Sequence, residues 1–229
     1  MGFSDIHAHF LYGMDDGAQT KAEMEAMLDA SWADGVTKLV ATPHMTPGIE
    51  PFDEDACLRR LAEAREYCRQ RGYAIELYAG AELLYTPALP QYLSKHSLPT
   101  LADSRQVLLE FAPAIPYEEI AAGVKLLERS GYVPVLAHVE RYGALSGTKL
   151  YRLREQSSVF YQLNGDTILH PNGLRKKLQT RKWLRDEIID WIASDSHDCG
   201  RRKTCMKQTY TTLESHCDEA YLQRLFGVC

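Results

Sequence analysis

The feature that most constrains the fold of this chain is an alternation: seven short runs rich in Val, Ile, Leu and Tyr, separated by segments of helical periodicity. The runs fall at 4–9 (SDIHAH), 37–44 (TKLVATPH), 74–82 (AIELYAGAE), 106–111 (QVLLEF), 133–140 (VPVLAHVE), 159–165 (VFYQLNG) and 188–197 (IIDWIASDSH). Each has the length of one strand. Between them, helices are expected at 20–34, 53–71 and 116–130, each ending at or beside a glycine (Gly35, Gly72, Gly131) that can take the left-handed conformation past a helix end. Further helices are expected at 87–95, 146–157 and 171–186, and from about 202 onwards. Strands alternating with helices indicate an α/β fold with a parallel sheet or a TIM-like barrel. With 229 residues and no linker, repeat or low-complexity tract, one domain spanning 1–229 is expected.

Chemistry concentrates at the ends of these runs. His7 and His9 close the first, His44 the second, Glu82 the third, Glu110 the fourth, His138 lies in the fifth, and Asp195 and His197 close the seventh. In a parallel barrel these ends open on one face, so residues scattered along the chain converge there. Side chains alternate along a strand, which turns His7 with His9, and Asp195 with His197, into chelating pairs. Five imidazoles and three carboxylates in one pocket need a cation, because buried carboxylates repel one another and buried charge needs a partner. Nitrogen and oxygen donors without thiolate suit manganese, iron or zinc, and eight donors suit more than one ion, with Glu82 a natural bridge. His96, His170 and His216 lie outside such positions and are expected at the surface or in caps.

Composition removes several classes. The net charge of −5 offers no footprint for nucleic acid or an anionic membrane, and no run approaches the roughly 18 apolar residues of a membrane helix. The N-terminus has no signal-peptide pattern, and six cysteines without metal or disulfide spacing fit a reducing compartment, so a cytoplasmic protein is expected. Neither a dinucleotide fingerprint nor a P-loop occurs. No cysteine is followed six positions later by arginine, so phosphate chemistry here has to use metal, and Cys199 reads as a bystander. Arg141 in HVER and the pair Arg201 and Arg202 in DSHDCGRR stand beside the candidate ligands, where guanidinium matches paired phosphate oxygens.

Taken in order, HxH, TPH, GAE, LEF, LAHxER and SDSH resemble the polymerase and histidinol phosphatase (PHP) superfamily. Within it the chain looks most like the bacterial manganese-dependent protein tyrosine phosphatases encoded with capsule and exopolysaccharide genes. The resemblance covers essentially the whole chain, and its most specific piece is DIHAHFLYGMDDGA, where an acidic pair and glycine follow HxH at a fixed distance. The segment from Leu145 to Gln156 matches nothing recognisable.

The resemblance implies a distorted (β/α)7 barrel and two or three divalent ions, manganese first, on His7, His9, His44, Glu82, Glu110, His138, Asp195 and His197. It implies Asp16 as a further ligand or proton donor, and Arg141 with Arg202 as the phosphate-holding arginines, with Arg201 able to exchange with its neighbour. The implied reaction is hydrolysis of phosphotyrosine by metal-activated water without a phospho-enzyme. The implied substrate is the tail of a bacterial tyrosine autokinase. Tyr12, Tyr85, Tyr117 and Tyr142 stand in expected loops where they could flank a phosphotyrosine ring. Three alternatives accompany this expectation: a small-molecule phosphatase acting on a substrate such as histidinol phosphate, a nuclease or polymerase-editing relative, which the acidic charge disfavours, and a non-catalytic metal-binding regulator.

Overall fold

The computed structural model describes residues 2–228. In chain order its elements are β1 (Phe3–Ala8), α1 (Lys21–Ala33), β2 (Val36–Ala41), β3 (His44–Met45), α2 (Glu54–Arg71), β4 (Glu76–Ala79), β5 (Glu82–Leu84), α3 (Leu89–Leu93), β6 (Gln106–Glu110), α4 (Tyr117–Arg129), β7 (Val133–Leu136), α5 (Lys149–Gln156), β8 (Phe160–Asn164), α6 (Gly165–Leu169), α7 (Gly173–Arg185), β9 (Trp191–Ala193), α8 (Met206–Leu213) and α9 (Glu219–Leu225). Every strand pairing among the described residues is parallel. Strand order is β1-β2-β4 in one sheet and β3-β5-β6-β7-β8-β9 in the other. The mixed α/β class with parallel sheets is therefore as expected.

Local signals set the helix boundaries. Thr20 and Glu23 form a reciprocal capping box at the start of α1, and Asp53 caps α2 through Ala56 N–H. Gly72 ends α2 in the left-handed conformation at φ 72°.

The second and third apolar runs are not single strands, which corrects the expected seven. Each divides, into β2 and β3 and into β4 and β5, and both breaks have a local cause. Pro43 has no N–H to continue a ladder, so the β1–β2 ladder ends with the Thr42 N–H bonded to Ala8 O at 2.9 Å. Gly80 sits where a Cβ would come within 3.0 Å of Val40, 3.1 Å of Leu101 and 3.3 Å of the Ala41 carbonyl, so glycine allows an approach that a side chain would make tight.

The chain passes from one sheet to the other at these breaks, and the sheets meet again at β1. Asp195 N–H bonds His7 O and His9 N–H bonds Ser196 O, joining β1 to the segment after β9, while Glu82 N–H bonds Pro43 O. Ile6, Val40, Leu108, Val135 and Ala193, drawn from strands of both sheets, pack in one small buried cluster. The larger core lies between the strands and the helices, with Leu39, Leu83, Leu109 and Leu136 fully buried. No helix among the described residues is long and apolar enough to cross a membrane.

Candidate metal centre

All eight residues expected at strand ends come together. The Nε2 atoms of His7 and His9 lie 3.1 Å apart. Glu82 Oε2 lies 3.2 Å from the first and 3.3 Å from the second. Asp195 Oδ1 is 3.4 Å from His7 Nε2, and Glu82 Oε2 also meets His44 Nδ1 at 3.1 Å. His138 Nε2 faces Glu82 Oε1 at 2.8 Å and Glu110 Oε1 at 3.4 Å. Glu82 is thus the central carboxylate, with four imidazoles around its two oxygens. The donor atoms divide into three overlapping groups, each compact enough for one ion: His7, His9 and Asp195; His44, Glu82 and Glu110; and His9, Asp16, His44 and His197.

Two of these residues arrive by a route that strand alternation does not supply. His138 is not in a strand: the chain turns there at φ 31° into a short 3-10 helix, Val139–Arg141. Asp195 likewise lies beyond β9 at φ 54°. A left-handed conformation disfavours residues with a Cβ and persists where surrounding contacts impose it. Here the contacts are Gln162 Oε1, which accepts from His138 N–H at 2.7 Å, and His7 O, which accepts from Asp195 N–H at 2.9 Å.

A second layer of polar side chains aims the imidazoles. Asp15 Oδ2 accepts from His9 Nδ1 at 2.6 Å and from His44 N–H at 3.0 Å, while its Oδ1 accepts from Gly17 N–H. Gly17 must be glycine, since a Cβ there would lie 2.0 Å from His9 O. Gln162 Oε1 already accepts from a backbone N–H, so the proton on its 3.1 Å contact with His7 belongs to His7 Nδ1. Gln162 Nε2 donates to Asn164 Oδ1, and Asn164 Nδ2 donates to Asp195 Oδ2 at 2.8 Å. His197 Nδ1 faces Asp195 O at 2.9 Å. In His7, His9 and His197 an oxygen therefore holds Nδ1–H and leaves the Nε2 lone pair facing the centre, the arrangement that orients imidazole for a metal.

Asp15, Gln162 and Asn164 were not among the expected site residues. The signals that could have found them are the acidic pair followed by glycine at 15–17, and the i, i+2 amides in the one run that lacks a terminal His, Asp or Glu. Asp5, equally buried, accepts from Ser194 N–H at 3.0 Å and ties β1 to the start of the Asp195 loop; burial pushes its carboxyl up to about 6.

Electrostatics point to a missing positive charge. Burial opposes protonation of His9 and His138, yet hydrogen bonds to Asp15 and Glu82 raise His9 to about 10, and bonds to Glu110 and Glu82 raise His138 to about 9. Against the opposing effect of burial, the surrounding histidines hold Glu82 well below the usual carboxylate range. Burial and the neighbouring His9, stacked at 3.8 Å, press His197 down to about 4. The buried Nε2 of His197 has no hydrogen-bond partner of good geometry, although Asp16 Oδ1 is 3.2 Å away. An orphaned buried nitrogen and imidazoles that take protons to offset carboxylates fit divalent cations at this place.

On the open side stand the arginines. Arg141 Nη2 meets Asp195 Oδ2 at 2.5 Å, and Arg202 Nη2 meets Asp195 Oδ1 at 3.1 Å while its Nη1 reaches Asp16 Oδ2 at 3.3 Å. Arg202 thus reaches the cluster, whereas Arg201 is exposed and lines the same hollow, a space of about 380 Å3. Asp16 lies over the mouth, also 3.3 Å from His44 Nε2. Of the four tyrosines, Tyr142 and Tyr117 are buried rather than at a rim. Tyr142 Oη accepts from Phe111 N–H and backs His138. Tyr12 and Tyr85 are half-buried. His96, His170 and His216 are exposed, as expected, and of the three His170 lines the hollow of the arginines.

Residues 3–228 match the family model described as "Capsular polysaccharide synthesis, CpsB/CapC". This chain belongs to the CpsB/CapC family. Among CpsB/CapC relatives, the tyrosine-protein phosphatase CpsB of Streptococcus pneumoniae is 31% identical over 216 residues, 91% of this chain and 88% of the relative. The tyrosine-protein phosphatase YwqE of Bacillus subtilis is 27% identical over 217 residues, 92% and 83% of the two chains. A crystal structure from work on YwqE and CpsB, described there as unique metal-dependent tyrosine phosphatases, superposes with a TM-score of 0.84 at 25% identity, over 96% of this chain and 90% of that one.

Proposed function

We propose that this protein is a metal-dependent protein-tyrosine phosphatase of capsule or exopolysaccharide synthesis, acting in the cytoplasm as one domain on the phosphorylated tail of a tyrosine autokinase. The two sheets are inferred to form one distorted (β/α)7 barrel in which β2 with β3, and β4 with β5, count as single interrupted strands, a reading supported by the β1 and β9 contacts and the cluster that both sheets share. The observation that carries the function is the pairing of Arg141 and Arg202 on Asp195 at the open side of a buried His and Glu cluster. Its support from relatives is that CpsB and YwqE are tyrosine-protein phosphatases.

The three donor groups would hold up to three divalent ions, manganese first by the family resemblance, with iron or zinc equally compatible with nitrogen and oxygen donors. Bound there, the ions would supply the Lewis acidity that makes water a nucleophile near neutral pH.

The chain's own residues do the rest. Arg141 and Arg202 leave Asp195 in part to grip two non-bridging phosphoryl oxygens, placing phosphorus over the cluster and offsetting charge as attack proceeds. Water adds to phosphorus in line with the ester bond, the bond to the tyrosyl oxygen breaks, and phosphate and phenol result. Asp15, Gln162 and Asn164 hold the imidazoles and Asp195 still, so little reorganisation accompanies the step. Asp16 faces two Nε2 atoms and Arg202, which favours a ligand role over a proton-donor role.

Manganese-loaded protein should hydrolyse a phosphotyrosine peptide far faster than histidinol phosphate. Arg141→Ala should cut kcat/KM by about 100-fold with metal content unchanged, while His138→Ala should lose metal and activity together. The opposite substrate preference would assign a small-molecule phosphatase, and metal-loaded protein inert on aryl phosphates and histidinol phosphate alike, while still binding a kinase tail, would assign a regulator. Asp16→Asn should slow p-nitrophenyl phosphate and phenyl phosphate alike and lower metal content. A loss confined to phenyl phosphate, the poorer leaving group, would make Asp16 the proton donor instead.

A further inference from the structure

Helix α7 carries six cations (Arg175, Lys176, Lys177, Arg181, Lys182, Arg185) and no acid, in a chain whose net charge is −5. It buries Thr180, Trp183 and Leu184 against the body and turns its other side outward. On that outer side Leu174, Leu178, Arg181 and Arg185 fall at i, i+4, i+7 and i+11, one stripe along the helix. Leu174 is 71% exposed and Leu178 57% exposed, apolar area that folding leaves in water. Lys182 and Arg185 pair with Asp186, but Arg175, Lys177 and Arg181 have no acidic partner among the described residues.

The stripe borders a hollow of about 390 Å3 lined by Lys177, Leu178 and Arg181 of α7, Ile168 and Pro171, and Leu213 of α8. This hollow and the arginine-lined one at the metal centre are bordered by one stretch of chain. Leu169 and His170 line the latter while Ile168 and Pro171 line the former, so the two flank the same short segment after β8. Lys176 Nζ donates to the Glu140 carbonyl, which fastens α7 to the turn that carries Arg141.

We propose that this face of α7 docks the residues flanking phosphotyrosine in the substrate, and that those residues are acidic with an interspersed large apolar side chain. The proposal rests on the phosphatase reading above. Unpaired cations around an apolar-floored hollow complement carboxylates around one apolar anchor. A planar bilayer would meet the cations but leave the hollow unfilled, which favours a peptide.

The test compares full-length manganese-loaded wild type with K177E/R181E on three substrates: p-nitrophenyl phosphate and two phosphotyrosine peptides of one core sequence, flanked by Glu and Leu or by Lys and Ser. Wild type should show a KM about ten-fold lower for the Glu-flanked peptide at low salt, shrinking as salt rises. In K177E/R181E the preference should invert towards the Lys-flanked peptide, with p-nitrophenyl phosphate kinetics unchanged because that substrate has no flanks. Inversion excludes misfolding as the cause. Equal KM values for the two peptides in both proteins would overturn the proposal while leaving the phosphatase reading intact. So would equal values accompanied by wild-type-only binding to phosphatidylglycerol vesicles, which would assign the face to a membrane. Absence of turnover on p-nitrophenyl phosphate would instead sink the reading beneath it.

Discussion

Asp15 contributes no atom to the three donor groups, yet His9 Nδ1, His44 N–H and Gly17 N–H all bond its carboxylate, and through them it sets the direction of two imidazoles. Removing such an orienting carboxylate typically lowers metal affinity 10- to 100-fold. Asp15→Ala should therefore weaken manganese binding by about that factor, and activity should return in part when the metal concentration is raised. Metal titration followed by activity, with circular dichroism to show an intact fold, checks this; unchanged affinity would reduce Asp15 to a loop residue. The contrast with its neighbour explains what sequence could reveal at this scale. His, Glu and Asp at strand ends advertise themselves because few structural roles place so many imidazoles at such positions. Asp15, Gln162 and Asn164 act through hydrogen bonds to ligands more than a hundred residues away in some cases, as with Gln162 and His7. Such pairing is invisible until the strands are neighbours.

Among the secondary-structure elements, helix ends were legible where a capping side chain or a glycine wrote them, and illegible where tertiary contacts override the local rule. Gly72 closes α2 as its residue type demands, but α7 closes with Glu187 at φ 50°, after Asp186, where Glu187 N–H bonds Leu184 O and Ile188 N–H bonds Trp183 O. The expected end at 186 was right, although no glycine marks it. Non-glycine residues in the left-handed region cost roughly 1–2 kcal/mol, of which glycine's greater unfolded-state freedom returns part. Glu187→Gly should thus raise stability by about 0.5–1 kcal/mol in urea unfolding, with the exposed 3.3 Å pair to Arg224 contributing little in opposition. A fall in stability would mean that this pair or the Glu187 side chain outweighs the backbone term. His138 and Asp195 share the left-handed conformation, but there it aims side chains into the centre. No pattern of apolar residues could announce those turns, which is why the fifth and seventh runs looked like longer strands than β7 and β9 are. Pro43 and Gly80 stand at the two strand breaks, where a missing donor and a close approach interrupt runs that read as single strands.

For the whole molecule, the centre couples stability to both protons and metal. Without cations, His9 and His138 are raised to about 10 and about 9, and His44 is raised as well: burial works against all three, and their carboxylate partners prevail. In the unfolded chain these side chains titrate near 6.5. Their contribution to the metal-free fold is therefore fully present below about 6.5 and is lost as pH rises through the folded values. His197, depressed to about 4, acts oppositely and costs stability as pH falls below its unfolded value, as does Glu82, held low by its histidines, further into acid. Chelated protein should accordingly be most stable near neutrality, with Tm declining between pH 7 and about 10. Cations take the place of those protons and bind more tightly as the ligands deprotonate, so the loaded protein should resist the alkaline decline. The difference in Tm between manganese-loaded and chelated samples should widen steadily from pH 6.5 to 9.5, and calorimetric binding should release protons to buffer across that range. Constant separation of the two Tm curves, or metal uptake without proton release, would mean that the imidazoles are already neutral in the metal-free fold and that Glu82 is offset in some other way.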